Sequence, residues 1–204
     1  MKIIGLSGGI ACGKNFIAEI FAKNSCVIFD ADANVHNLLT SHKLTISQVK
    51  KHFPESFIDK KINRQILGKI VFSNQKKLQI LEKIIHEKLR KNYQQFLKKA
   101  QKDGAKCVVL NIPLLLETKG YECDYVVAII TNRKQQIDRF IAREKLKNPQ
   151  ILIKDLKEKF QQIIKRQTSN KIRKKHANFI IKNDGLKSHT VAQVKVVLKK
   201  INSL

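Results

Sequence analysis

Short apolar runs alternate with amphipathic stretches along most of the chain. The runs lie at residues 2–6, 26–29, 106–110, 125–130 and 179–181, and each closes at glycine, proline, asparagine or aspartate. Runs of this length between turn-forming residues are typical of buried strands. The stretches that follow carry apolar residues at helical spacing. The pattern predicts an α/β fold, in which helices cover a parallel sheet and ligands bind at the carboxyl ends of the strands.

Residues 42–103 break this alternation because they contain no convincing strand. Apolar residues recur there at helical spacing amid Lys and Gln, from Ile66 to Phe96. We therefore predict a basic helical insertion. Residues 133–175 are also mostly helical and strongly basic, and an amphipathic last helix is predicted over residues 191–201.

The overall composition is that of a globular domain, but the net charge is far higher than such domains usually carry. Hydrophobic residues make up 43%, whereas 41 Lys and Arg against 16 Asp and Glu leave a net charge of +25. Residues 41–100 and 151–204 each carry +11 of it. Such a field attracts nucleic acids, anionic membranes and phosphorylated metabolites. Only 7 of the basic residues are Arg, which phosphate and base recognition prefers, so a solvated lysine surface accounts for much of the excess.

Several protein classes are not indicated. Cys12, Cys26, Cys107 and Cys123 form no C-x-x-C pair and no Cys/His cluster at zinc spacing, which argues against a disulfide scaffold or a structural zinc site. No apolar run approaches the roughly 18 residues of a membrane span, and the opening run is too short for a signal peptide. We expect a soluble, cytoplasmic protein without a membrane partner.

The clearest chemical motif follows the first predicted strand. It is G-x-x-x-x-G-K, the phosphate-binding P-loop, in its strand-to-helix context: Gly8, Gly9, Ile10, Ala11, Cys12, Gly13, Lys14 and Asn15. Small residues let backbone N–H groups approach phosphates, the helix N-terminus adds positive potential, and the lysine reaches the β and γ phosphates. The alternative is a glycine-rich turn whose lysine points outward.

The last position of the motif departs from the pattern. Asn15 replaces the Ser or Thr whose hydroxyl binds Mg²⁺ in P-loop enzymes. An amide oxygen is a possible ligand of a hard cation, but the longer side chain must fit a site built for a hydroxyl. Asn15 is therefore a doubtful metal ligand.

Two carboxylates follow the second predicted strand. Asp30 and Asp32 are expected at the ligand-binding edge of the sheet, where a carboxylate accepts a proton from a hydroxyl that attacks a phosphoryl group. Asp32 has an equally simple alternative, because it precedes a short helix and would serve as its N-cap. The sequence leaves both interpretations open.

Arg139 and Arg143 lie four residues apart on a predicted helix and share one face, where paired guanidinium groups suit a transferring phosphoryl group. Surface ion pairs with Asp138 and Glu144 are the alternative. His86 and Pro113 also have ordinary explanations, as a structural histidine in the insertion and as a strand terminator.

Together these motifs resemble the dephospho-CoA kinase family, the P-loop kinases of the last step of coenzyme A synthesis. The matching blocks run almost the full chain, and the Asp-Ala-Asp and Ile-Pro-Leu-Leu blocks in this order are far more specific than the P-loop alone. They comprise residues 5–14, 27–32, 63–64, 70–72, 84–86, 112–117 and 136–139 with Arg143, then Gln167 and residues 177–185.

The resemblance implies transfer of the γ-phosphate of ATP, with Mg²⁺, to the ribose 3′-hydroxyl of dephospho-CoA, giving CoA and ADP. Lys14, the rest of the P-loop and Arg143 would bind ATP. Asp32 would be the general base and bind the acceptor, and Lys14 and Arg139 would share in catalysis.

The resemblance also implies an organisation of the chain. Residues 1–32 and 104–204 would form the nucleotide-binding core, with a lid at about residues 140–175. Residues 33–103 would be a helical CoA-binding insertion whose positive charge suits an anionic acceptor. The remaining acceptor contacts would be Arg64, His86, Pro113 and Leu114.

Four residues depart from what the family usually carries. Asn15 replaces Ser or Thr, and His36 replaces Arg. Asn111 replaces an acidic residue, and Glu87 replaces Pro. Two of these changes remove groups expected near Mg²⁺, which predicts weaker or altered metal dependence. A weakened P-loop protein that binds nucleotide or nucleic acid, or a kinase for another small molecule, remains the alternative. We expect no specific nucleic-acid partner and a monomer or weak homo-oligomer.

Overall fold

The computed structural model of the chain describes residues 1–118 and 120–203. The strands are β1 (Lys2–Gly8), β2 (Val27–Asp30), β3 (Phe57–Ile58), β4 (Lys61–Ile62), β5 (Cys107–Asn111), β6 (Tyr125–Ile130) and β7 (Phe179–Lys182). The α-helices are α1 (Lys14–Lys23), α2 (Ala31–Thr40), α3 (Lys43–His52), α4 (Arg64–Phe72), α5 (Gln75–Lys102), α6 (Arg133–Lys147), α7 (Ile153–Lys165), α8 (Asn170–His176) and α9 (Lys187–Asn202).

Five strands form the central sheet, in the order β2-β5-β1-β6-β7. The pairings of β1 with β5 and β6, and of β6 with β7, are parallel. All five residues of β5 are buried, as expected of an inner strand covered on both faces. The predicted α/β class is confirmed. Because β1 lies in the middle of the sheet, the loop that follows it lies between the carboxyl ends of β5 and β6.

The chain divides into two compact units, and the first comprises residues 1–29 and the chain from Ala100 onward. Its main core joins the sheet to α1 and α9, which pack together, with Phe21, Ile129 and Ile201 fully buried. A smaller core lies between α6 and α7, around Phe140 and Phe160. Burial of these apolar faces holds the helices against the sheet.

The second unit, Asp30–Lys99, is mostly helical and has its own core. Leu39, Val49, Phe53, Leu67 and Val71 form its centre, and α5 contributes Ile85. Each of α2, α3 and α4 begins at a side chain that accepts a hydrogen bond from the first turn. Local caps therefore fix the starts of these three helices, and one apolar cluster packs the helices of this unit together.

The expectation that residues 42–103 hold no strand is wrong in one place. The short strands β3 and β4 pair antiparallel, with Phe57 opposite Ile62. Asp59 and Lys60 between them both have positive φ, at 48° and 60°, as a two-residue hairpin turn requires. Two-residue strands are too short to produce an alternating pattern, so this hairpin could not be predicted from the sequence. No helix in the described ranges is long and apolar enough to cross a membrane.

Candidate active site

The loop between β1 and α1 has the backbone of an anion-binding nest. Ala11 and Gly13 have positive φ, at 54° and 89°, and the N–H of Cys12 donates to the carbonyl of Gly9 at 3.2 Å. Gly13 is required here because a Cβ in this conformation would also collide with the side chain of Asn183. Alternating backbone handedness at the start of a helix is the arrangement that gathers N–H groups around a phosphate.

Side chains that follow the carboxyl ends of two strands hold this loop against the sheet. Thr131, directly after β6, donates from Oγ1 to the carbonyl of Cys12 at 3.0 Å, and Asn183, directly after β7, donates from Nδ2 to the same carbonyl at 2.8 Å. All three residues are buried. The loop is therefore fixed to the sheet by hydrogen bonds that the surrounding protein shields from water.

Two glutamines hold the loop at the backbone of Ile10. The N–H of Ile10 donates to Oε1 of Gln167 at 3.0 Å, and the carbonyl of Ile10 accepts from Nε2 of Gln136 at 2.9 Å. Gln136 lies on α6, and Gln167 lies between α7 and α8. Both residues belong to the blocks that resemble the family, although the sequence predicts no role for them. Their positions show that the helices after β6 help to shape the loop.

Lys14 is the first residue of α1. Its Nζ donates to the carbonyl of Ile112 at 2.8 Å, just beyond the carboxyl end of β5. The ammonium group therefore points across the edge of the sheet. This excludes the alternative in which the lysine of a glycine-rich turn points outward to solvent.

Asn15 meets Asn111, the last residue of β5. Nδ2 of Asn111 donates to Oδ1 of Asn15 at 3.1 Å. P-loop enzymes hold Mg²⁺ with a hydroxyl and a strand-terminal carboxylate at these places. Here both groups are neutral amides, and the Asn15 oxygen faces an N–H donor. No cluster of three His, Cys, Asp or Glu side chains in residues 1–118 and 120–203 offers an alternative site. Asn15 and Asn111 therefore do not supply the hydroxyl and the carboxylate that hold Mg²⁺ in P-loop enzymes.

The structure separates Arg139 from Arg143. Arg139 lies beside the P-loop, donating from Nη2 to the carbonyl of Asn183 at 2.9 Å, with Nη1 near Gly13. That Nη1 is buried and has no hydrogen-bond partner within the described part of the chain. Arg143 is half-exposed, lies over the ring of Phe140 and pairs with Glu144 at 3.5 Å. Of these two arginines, Arg139 is therefore the one beside the phosphate loop in this conformation.

The helix cap after β2 is Asp30, not Asp32. Oδ1 of Asp30 accepts from the N–H of Ala33 at 2.8 Å, and α2 begins at Ala31. The N-cap interpretation of Asp32 is therefore wrong, because the helix starts at Ala31, two residues earlier than that interpretation requires. Asp32 is exposed in the first turn of α2.

The predicted acceptor residues of the second unit lie on two features. Arg64, at the start of α4, donates from Nη1 to Nδ1 of His36 at 2.8 Å. His36, which stands where the family usually carries arginine, is thus a hydrogen-bond partner of a neighbouring arginine. His86 lies on α5 in an open groove with Lys83, Arg90 and Lys91, and with Glu87 and Gln94. The groove is strongly basic.

Pro113 and Leu114 follow β5 in the first unit. Leu114 has a positive φ of 55°, and its carbonyl accepts from the N–H groups of Glu117 and Thr118, both at 2.9 Å. A branched residue in this conformation carries strain on the order of 1–3 kcal/mol, which is typical of functional turns. The chain after β5 therefore has an uncommon backbone conformation next to Pro113.

One buried residue beside the phosphate loop could not be predicted from the sequence. Arg173 on α8 is only 3% exposed and lies beside Gly9. It stands in the run Lys-Ile-Arg-Lys-Lys, where nothing in the local pattern sets it apart from its neighbours. The only available signal was the rarity of arginine in this lysine-rich chain.

Comparisons with known proteins agree with this geometry. A sequence profile of the dephospho-CoA kinase family matches residues 2–188. The chain is 38% identical to the dephospho-CoA kinase of Bartonella henselae over 202 residues, 98% of each chain. It is 32% identical to that of Wolbachia pipientis wMel over 201 residues, again 98% of each.

Solved structures agree as well. The dephospho-CoA kinase from Campylobacter jejuni superposes with a TM-score of 0.69 at 27% identity, covering 98% of both chains. The protein TT1252 from Thermus thermophilus shares the fold, with a TM-score of 0.80 at 24% identity over 98% of this chain and 97% of that one. Because the match extends over nearly the whole sequence and includes the phosphate loop, the chain belongs to the dephospho-CoA kinase family.

Proposed function

We propose that this kinase transfers the γ-phosphoryl group of ATP to the 3′-hydroxyl of the ribose of dephospho-CoA. The membership of the family over residues 2–188 carries the identity of the acceptor. The P-loop with Lys14 carries the identity of the donor as a nucleoside triphosphate. In the reaction the 3′-oxygen forms a bond to the γ-phosphorus, the bond from that phosphorus to the β,γ-bridging oxygen breaks, and ADP leaves.

Phosphate binding is the role of residues 8–15. The loop N–H groups surround the phosphates, and the ammonium group of Lys14 exchanges the carbonyl of Ile112 for the β and γ oxygens. Little rearrangement is needed, because Thr131 and Asn183 already hold the loop through Cys12. Arg139 adds a second cation beside Gly13.

Asp32 is proposed as the general base, which accepts the proton of the 3′-hydroxyl as its oxygen attacks. The observation that Asp30, and not Asp32, caps α2 supports this assignment. Arg64, His86, Pro113 and Leu114 are proposed to contact the acceptor, whose phosphates suit the basic groove at His86.

Arg143 remains a predicted ATP ligand, which would have to leave Glu144 when nucleotide binds. Mg²⁺ is the ion expected with ATP in this class of reaction. Asn15 and Asn111 are not assigned as its ligands, because the amide oxygen of Asn15 accepts a hydrogen bond from Nδ2 of Asn111.

The test is ADP release from ATP with and without dephospho-CoA, with CoA identified by its mass. We expect acceptor-dependent ADP and CoA in equal amounts. Lys14→Ala should lower kcat by about 100-fold or more. Lys23→Ala, at the exposed end of the same helix, is the matched control and should leave kcat unchanged. Nucleotide binding without turnover would instead favour the weakened P-loop protein, and turnover with another acceptor would favour a different small-molecule kinase.

A further inference from the structure

Arg173 is a buried cation with incomplete pairing. Its nearest carboxylate oxygen, Oε1 of Glu117, lies 3.7 Å from Nη2, beyond hydrogen-bond length, and already accepts from the N–H of Thr168 at 2.8 Å. Nη1 makes a long contact of 3.4 Å to Oδ1 of Asn170. Nε is buried and has no hydrogen-bond partner among residues 1–118 and 120–203. A guanidinium group that is 3% exposed and so poorly paired is costly to hold in the protein.

The guanidinium group borders a cavity in front of the P-loop. The cavity has a volume of about 160 Å³, and Gly9, Arg133, Gln136, Thr168 and Arg173 are among its lining residues. A Cβ added to Gly9 would lie 3.1 Å from Nε2 of Gln136 and 3.4 Å from Nη1 of Arg173. The absence of a side chain at Gly9 therefore lets these groups converge on the second residue of the loop.

The size and polarity of the cavity limit its occupant. Its volume is well below the roughly 300–1,000 Å³ of pockets that enclose a whole small molecule. Two arginines, Arg133 and Arg173, line it. The amide of Gln136 and that of Gln167 are already bonded to the loop at Ile10. A single tetrahedral anion meets both the volume and the charge.

The positive potential of Arg173 also reaches the centre of the loop. Burial raises the pKa of the Cys12 thiol, whereas the charges of Lys14 and Arg173 both lower it. The two cations therefore act on the same stretch of backbone. An anion beside Gly9 would be close to the phosphates that Lys14 binds.

We propose that Arg173 binds the terminal phosphoryl group of the donor nucleotide from the cavity beside Gly9. This assignment rests on the proposed use of ATP and adds a specific residue to it. A guanidinium already buried and oriented stabilises the charge on the transferring group without further reorganisation. Glu117 and Asn170 hold the side chain in place until the phosphate arrives.

The experiment compares the affinities of ADP and of a non-hydrolysable ATP analogue with an imido β,γ bridge, measured by calorimetry without dephospho-CoA. In Arg173→Gln we expect affinity for the analogue to fall at least tenfold while affinity for ADP changes less than threefold. Arg173→Lys should recover part of the loss. Arg166→Gln, an exposed arginine between the same helices, is the control and should change neither affinity. An equal loss for both nucleotides would overturn the proposal in favour of a structural ion pair.

Glu117→Gln keeps the proposal testable even if Arg173→Gln does not fold. The amide oxygen still accepts from Thr168, but the competing charge is gone. The ratio of analogue affinity to ADP affinity should therefore rise about threefold, and an unchanged ratio would contradict the proposal. Failure of the proposed kinase function is distinguishable, because it would leave these ratios intact while no CoA forms. A wild-type protein that binds neither nucleotide would overturn both.

Discussion

Nδ2 of Asn111 donates a hydrogen bond to Oδ1 of Asn15 at 3.1 Å, which joins the end of β5 to the start of α1. Two neutral amides thus stand where a hydroxyl and a carboxylate would hold Mg²⁺ in other P-loop enzymes. Because these two positions offer the metal no charged ligand, its binding depends more on the nucleotide phosphates. The weaker or altered metal dependence expected from the sequence therefore remains a prediction, now with a structural cause.

The double variant Asn15→Ser with Asn111→Asp tests this cause. Restoring both groups should lower the Mg²⁺ concentration for half-maximal turnover by about tenfold. It should also tighten Mn²⁺ binding in the presence of ADP, measured by electron paramagnetic resonance, a readout independent of turnover. Each single variant should have a smaller effect. A wild-type metal requirement that the double variant leaves unchanged would show that the amide pair is irrelevant to the metal.

Asp32 and Asp30 should behave differently when substituted. Asp32→Asn is expected to lower kcat by about 10²- to 10⁴-fold while nucleotide affinity stays within about twofold, because only proton transfer is affected. Asp30→Ala should lower the free energy of unfolding by about 1 kcal/mol, because the cap of α2 is lost. Steady-state kinetics, nucleotide titration and urea unfolding of both variants provide the comparison. Near-normal kcat in Asp32→Asn would remove it from the mechanism.

Glu144 links α6 to α7 and should contribute stability that depends on pH. Its burial raises the pKa, but hydrogen bonds from Lys147 and Lys159, both at 3.0 Å, outweigh burial and hold the pKa below its usual value. Because the pKa of Glu144 is lower in the folded protein than in the unfolded chain, where it is about 4.3, ionised Glu144 stabilises the fold above about pH 4.3. This stabilisation is lost as the pH falls through the pKa of Glu144 in the folded protein.

Glu144→Gln should therefore lower the free energy of unfolding at pH 7 by about 1 kcal/mol or less. The difference from the wild type should shrink below about pH 4, where Glu144 itself becomes neutral. Urea unfolding at a series of pH values measures both effects. A difference that stays constant from pH 7 to pH 3 would mean that packing, and not charge, is responsible.

Cys12 lies in the phosphate loop but should be unreactive. It is 1% exposed, and burial raises the pKa of its thiol although Lys14 and Arg173 oppose this. Cys123 is more exposed, with its pKa raised to about 11 by burial and by Asp124. With iodoacetamide at pH 8, Cys123 should be alkylated slowly and Cys12 only after unfolding in urea. Peptide mass spectrometry shows the order in which the two cysteines are alkylated. Fast labelling of Cys12 in the native protein would refute the prediction that it is unreactive.

The strands and helices of the first unit followed closely from the sequence. The run at residues 125–130 is β6 as predicted, whereas β1 extends to Gly8 and α9 begins at Lys187, four residues before the predicted start. These errors lie at the ends of elements, where caps and loop contacts outweigh apolar periodicity. The P-loop was also recognisable, because its chemistry depends on adjacent residues.

The sequence by itself determined the alternation of buried strands and amphipathic helices and the phosphate loop, which depend on residues close together in the chain. It also determined the family, which follows from the order of short motifs along the chain. Only the tertiary structure decided which distant residues complete the site. The sheet order places Asn111 beside Asn15, and the packing of α8 buries Arg173 next to Gly9. A local pattern holds no information about such contacts, because their partners are set by how whole elements pack.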